Sequence, residues 1–91
     1  MKITVQYFAQ SRVTAGCSTE EFEFASPPLV RDVLRKIVER HDSLRSILWS
    51  SSGEPQPSLL VFVNDSQVRA DAPQPIPGDC TFTLLPPIGG G

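Results

Sequence analysis

The chain is poor in the side chains from which most active sites are made. Its 91 residues include one histidine and two cysteines, Cys17 and Cys80, set far apart. No second cysteine pair stands near either one, so neither a zinc knuckle nor a four-cysteine iron-sulfur site is expected, and both are read as ordinary reduced thiols. A single histidine cannot form a histidine cluster for a metal, and a Ser-His-Asp arrangement would have to use His41. An excess of positive charge is also lacking: eight Lys and Arg stand against ten Asp and Glu, for a net charge of -2. That excludes the basic surface with which nucleic-acid binders displace counterions from phosphates. No apolar run approaches the ~18 to 20 residues that cross a bilayer. The first residues, Met1 to Phe8, alternate in polarity where a signal peptide would be continuously apolar. The expectation is a cytoplasmic protein with no membrane or nucleic-acid partner, no metal and no active site of its own.

Hydrophobic residues make up 40% of the chain and charged residues 20%, a globular balance. A chain this short hides roughly 64% of its unfolded surface on folding, enough for one core and one domain.

Lys2 to Phe8 reads as a strand with Ile3, Val5 and Tyr7 facing the core. Ala9 to Ser18 reads as a loop, and Thr19 to Phe24 as a second strand closing a hairpin with the first. After Ser26-Pro27-Pro28, the residues Val30, Val33, Leu34, Ile37 and Val38 follow i, i+3, i+4, i+7, i+8 spacing with charged residues between them. They predict an amphipathic helix of about 13 residues, roughly 20 Å long. His41 falls near its end, where an imidazole covers carbonyls. Ser43 to Trp49 predicts a short second helix or turn, and Ser50 to Ser58 has loop composition. Leu59-Leu60-Val61-Phe62-Val63 is a continuous apolar run, the mark of a central strand. Asn64-Asp65-Ser66 is a turn, although it also fits an N-glycosylation pattern, and Gln67 to Arg69 return from it. Pro73, Pro75 and Pro77 stiffen a loop before Cys80 to Leu85, the last strand, which has Cys80, Phe82 and Leu84 inward.

Strand, strand, helix, short helix, strand, short strand, strand is an α+β order. Its compact solution is a mixed sheet with one main helix across one face and the first and last strands as parallel central neighbours. This is the β-grasp, or ubiquitin-like, architecture, expected over residues 1–85.

Residues 86–91, Pro86-Pro87-Ile88-Gly89-Gly90-Gly91, remain as an extended tail. The prolines stop the strand and favour a stiff path, and the glycines can enter a narrow channel in a partner. Six extended residues reach at most about 20 Å. The alternative is a frayed tail without function.

Several stretches together resemble the sulfur-carrier family of the molybdopterin synthase small subunit and the thiamine-pathway carrier. They are Tyr7-Phe8-Ala9-Gln10-Ser11-Arg12, Val63-Asn64 with Val68, Pro77-Gly78-Asp79, and Leu85 through Gly91. The similarity spans essentially the whole chain. It implies that an activating enzyme uses ATP to adenylate the Gly91 carboxylate and that a sulfur donor converts this to a thiocarboxylate. A partner enzyme then accepts the sulfur. In the molybdopterin branch that partner is the large synthase subunit, and no cofactor is bound by the carrier itself. Gly91 would be the covalent carrier and Gly89 and Gly90 its slim approach, with the catalytic side chains on the partner.

Two departures bear on the pathway. Val13 stands where Glu is frequent in the molybdopterin members, and Gly89 where Ala is usual. Val63 to Arg69 is more similar to carriers serving cysteine synthesis. Cysteine or thiamine biosynthesis therefore stays open as the destination of the sulfur. A ubiquitin-like modifier joined to lysines through Gly91, and a binding module with an inert tail, are readings of other classes.

Strand alternation adds a docking surface. Phe8 and Leu85 end neighbouring strands on the outward face, and Phe62 points outward beside them. With Pro86, Pro87, Ile88, Gly89 and Gly90 they form the expected partner-binding set.

Overall fold

The computed structural model describes residues 1–86. Strand β1 (Lys2–Tyr7) leads into helix α1 (Ala9–Ala15), and β2 (Thr19–Glu23) returns beside it. Helix α2 (Val30–Arg40) is followed by a 3-10 turn (Asp42–Leu44) and a single helical turn, α3 (Arg45–Leu48). Strands β3 (Leu60–Val63), β4 (Ser66–Val68) and β5 (Cys80–Leu85) complete a sheet of order β2-β1-β5-β3-β4. β1 and β5 run parallel at its centre, and the other neighbours are antiparallel. This is the α+β, β-grasp arrangement that the element order implies.

The core follows from two periodicities that meet. Ile3, Val5, Tyr7, Phe22, Val61, Phe82 and Leu84 come from alternate strand positions, and all are buried. Val30, Val33, Leu34, Ile37 and Val38 form the apolar stripe of α2 and are buried against them. Each such side chain contributes about 1.5–3 kcal/mol, so Ile37→Ala would cost about 2–5 kcal/mol. α2 runs for 11 residues after its N-cap, Leu29, whose N–H donates to Asp32 Oδ2 at 3.0 Å. The two prolines stand just outside it.

Two side chains fix the loops at the far end of the sheet. Asp79 Oδ1 accepts the Lys2 N–H at 2.8 Å, tying the start of β5 to the start of β1. Asn64 adopts φ 55°, its N–H donates to the Thr81 carbonyl at 2.7 Å, and its Oδ1 accepts the Thr81 N–H at 3.1 Å. The β3–β4 turn is thereby pinned to β5.

Three expectations are corrected. The segment expected as a loop between β1 and β2 contains α1, closed by Gly16 at φ 79° with its N–H on the Arg12 carbonyl. Its only buried residue is Ser11, whose Oγ donates back to the Phe8 carbonyl at 2.6 Å, so no apolar stripe announces it. β3 is interior but second from the edge, and β5 is the middle strand. The unbroken apolar run reflects apolar residues on the open face, because Leu60 is 38% exposed. His41 does cap α2, but through its backbone N–H on the Ile37 carbonyl at 2.8 Å, while its ring turns toward Glu20.

Candidate functional site

The face of the sheet away from α2 carries a row of apolar side chains at the end where β5 finishes. Leu60 pairs with Leu85 across β3 and β5, and Tyr7 pairs with Leu84 across β1 and β5. Phe8 is extended, at φ -129° and ψ 160°, so the β1–β5 register carried one residue further brings it level with Leu85. Phe8, Leu85 and Leu60 therefore lie abreast on three adjacent strands, about 10 Å from first to last at ordinary strand spacing. Phe62, opposite Thr83, lies one step along on the same face. Phe8 is 43% exposed, whereas Phe62 and Leu85 are half-buried. Below the row the face becomes polar, with Thr83 Oγ1 donating to Gln6 Oε1 at 3.2 Å.

Of the expected partner-binding residues, the structure brings Phe8, Phe62 and Leu85 together and places Pro86 buried directly after β5. Pro87, Ile88, Gly89, Gly90 and Gly91 lie outside the described residues, as does the expected extended tail beyond Pro86. Leu60 is the member that sequence reasoning missed. Its signal was present, since Val61 inward puts both Leu60 and Phe62 outward.

A second constellation occupies the helix-facing side near the same end of the sheet. Glu20 pairs with Val5 and so points inward, where its Oε1 accepts the Tyr7 hydroxyl at 2.8 Å and lies 2.7 Å from His41 Nε2. Arg40 stands 3.5 Å from Oε2 and stacks on the Phe22 ring at 4.0 Å. Desolvation pushes the Glu20 carboxyl up, but the hydrogen bonds from Tyr7 and His41 and the charges of His41 and Arg40 bring it net below the ordinary value. Tyr7 is pushed far above the usual phenol range by burial and by Glu20, and so remains a donor. The edge-on His41 ring completes this lid over the end of the core.

Both thiols are free and half-buried. Desolvation raises Cys17, helped by Glu20, and raises Cys80, helped by Asp79. At neutral pH both are protonated, which is the wrong state for a sulfur nucleophile. Cys17 does lie beside Glu20 and His41, a grouping of three ligand types that counting histidines could not foresee.

The model of the ThiS family matches residues 5–91, and the chain belongs to that family of ubiquitin-like sulfur carriers. The molybdopterin synthase sulfur carrier subunit of Chlamydomonas reinhardtii is 28% identical over 91 residues, covering all of both chains. Among solved structures, SAMP1 from Haloferax volcanii superposes with a TM-score of 0.88 at 23% identity over the whole of both chains. A putative molybdopterin converting factor, subunit 1, from Pyrococcus furiosus superposes at 0.76 with 25% identity, covering 97% of this chain and 99% of that one. A chain of the Amycolatopsis orientalis BexX/CysO complex gives 0.70 at 22% identity, covering 98% of this chain and 99% of that one.

Proposed function

We propose that this sulfur carrier is the small subunit of molybdopterin synthase, and that it carries sulfur as a thiocarboxylate on Gly91. The observation that carries the pathway is the full-length similarity to a molybdopterin synthase sulfur carrier subunit. The likenesses to SAMP1 and to the CysO complex, both below 25% identity, concern the fold and leave the destination of the sulfur untouched.

The domain itself supports a handle-like role. The row of Phe8, Leu85 and Leu60 sits where the chain leaves β5, so a partner that buries this row receives the following residues at its surface. On this reading a partner enzyme uses ATP to form an acyl adenylate at Gly91, releasing pyrophosphate. A sulfur donor then displaces AMP, leaving the thiocarboxylate. The large synthase subunit docks on the apolar row, takes Gly89, Gly90 and Gly91 into its active site, and accepts the sulfur. The chain binds and presents; the partners supply the catalytic groups and the ATP site.

The test is reconstitution of the reduced chain with an activating enzyme, ATP and a sulfur donor, followed by addition of a large synthase subunit and a pterin precursor. Sulfur transfer to the pterin supports the reading. A thiocarboxylate that a cysteine-forming or thiazole-forming enzyme consumes, and the synthase subunit does not, redirects it to those pathways. Gly91 in amide linkage to lysine would make the chain a protein modifier.

A further inference from the structure

Cys17, Glu20 and His41 each offer one ligand atom, and the three atoms all lie within 4.8 Å of one another. They come from three separate pieces of the fold: the turn after α1, strand β2, and the residue that caps α2. We infer that these side chains form a binding site for one zinc-class divalent ion, with water as the fourth ligand.

The donor set selects the metal. One thiol, one imidazole and one carboxylate suit a borderline ion with tetrahedral preference. Calcium and magnesium call for several oxygen ligands, whereas this grouping, among the described residues, offers one carboxylate. Metal–ligand lengths of about 2.0–2.3 Å place the corners of a tetrahedron about 3.3–3.6 Å apart. His41 Nε2 and Glu20 Oε1, now 2.7 Å apart, would open by less than an ångström, and Cys17, within 4.8 Å of both, would close by at most about 1.5 Å. Cys17 sits in a turn between elements and is half-buried, so its side chain has room to rotate.

Neighbouring groups are placed as supports. The Tyr7 hydroxyl holds Glu20 Oε1 at 2.8 Å, the kind of outer hydrogen bond that orients a ligating carboxylate. Arg40, 3.5 Å from Oε2, holds the other oxygen and offsets part of the negative charge of a thiolate and a carboxylate together. On binding, the Cys17 S–H bond breaks, a metal–sulfur bond forms, and the proton passes to buffer. The proton that His41 Nε2 directs at Glu20 passes to Nδ1 or to buffer, and Nε2 exchanges its contact with Glu20 for the ion. The ion would join the turn after α1 to the end of α2.

The experiment uses the full chain, reduced and stripped with a chelator, titrated with zinc chloride by calorimetry and with cobalt(II) chloride by visible spectroscopy. The expected result is one ion per chain, with tetrahedral cobalt absorption and a thiolate-to-cobalt charge-transfer band. Cys17→Ser should remove that band and weaken zinc by about 100-fold, Tyr7→Phe should weaken it by about tenfold, and Cys80→Ser should change neither. A titration that shows no saturable binding, or a cobalt spectrum without the thiolate band in the unsubstituted chain, overturns the proposal whether or not the variants fold. Binding of equal strength in Cys17→Ser means an adventitious ion only, and overturns it as well.

Discussion

Leu60 and Leu85 face each other across β3 and β5 on the side of the sheet away from α2. With Phe8 level beside Leu85 and Phe62 one step along, the pair makes an apolar row next to the polar Gln6–Thr83 contact. A core argument cannot explain it, because these residues are outside the core. Partner docking can: Phe8→Ser and Leu60→Ser should each weaken binding of the large synthase subunit by about tenfold, the equivalent of losing roughly 1.5 kcal/mol of apolar burial. Urea unfolding of the same variants should stay within about 1 kcal/mol of the parent. Unchanged affinity by calorimetry would remove the row from the interface.

The Tyr7–Glu20 contact should contribute to stability even though it lies at the margin of the core. Tyr7→Phe removes a hydrogen bond to an ionised acceptor and should cost about 1–2 kcal/mol in chemical denaturation. Glu20→Gln keeps the shape but loses the charge that faces Arg40, and should cost a comparable amount. A double variant close to either single one, and well short of their sum, is the signature of direct coupling.

Asn64 at φ 55° combines a left-handed backbone with a side-chain acceptor for Thr81. Asn64→Gly relieves any backbone strain and loses only the hydrogen bond, so it should cost about 1 kcal/mol. Asn64→Ala loses the bond and leaves a Cβ in a conformation that costs a further 1–2 kcal/mol or so. Thermal unfolding should therefore rank parent above Gly above Ala. Ala9, at φ 55° where α1 begins, predicts the opposite sign: Ala9→Gly should stabilise by about 0.5–1 kcal/mol.

Cys80 tests whether a thiol could carry the sulfur instead. Burial and the Asp79 carboxylate push it above the ordinary thiol value, so the thiolate is scarce at pH 7 and grows as pH rises through the alkaline range. In a Cys17→Ser background, iodoacetamide should modify Cys80 more slowly than an unstructured cysteine peptide at pH 7, and the rate should climb steadily above pH 9. Fast modification at neutral pH would mean an activated thiol.

Much of this was legible in the sequence because it rests on period. The alternation of Ile3, Val5 and Tyr7 and the helical stripe from Val30 to Val38 placed the core and the parallel central strands. α1 escaped because a helix that buries only Ser11 has no apolar stripe to read. The run Leu59 to Val63 was visible, but an apolar run looks the same whether both faces are covered or one is left for a partner, so Leu60 was passed over. Glu20 and its contacts with Tyr7 and His41 were hidden for a different reason. They join residues 13 and 21 positions apart, and only the folded β1–β2 pairing and the end of α2 bring them into one place.

The central claim, sulfur carriage on Gly91, is tested most directly by intact and C-terminal peptide mass spectrometry of the protein isolated from its own cells. The account predicts a population carrying one oxygen-to-sulfur exchange, located to Gly91 and lost when Gly90 and Gly91 are deleted. Gly91 found only as a free carboxylate, even after incubation with an activating enzyme, ATP and a sulfur donor, would contradict it, as would full activity in the chain lacking Gly90 and Gly91.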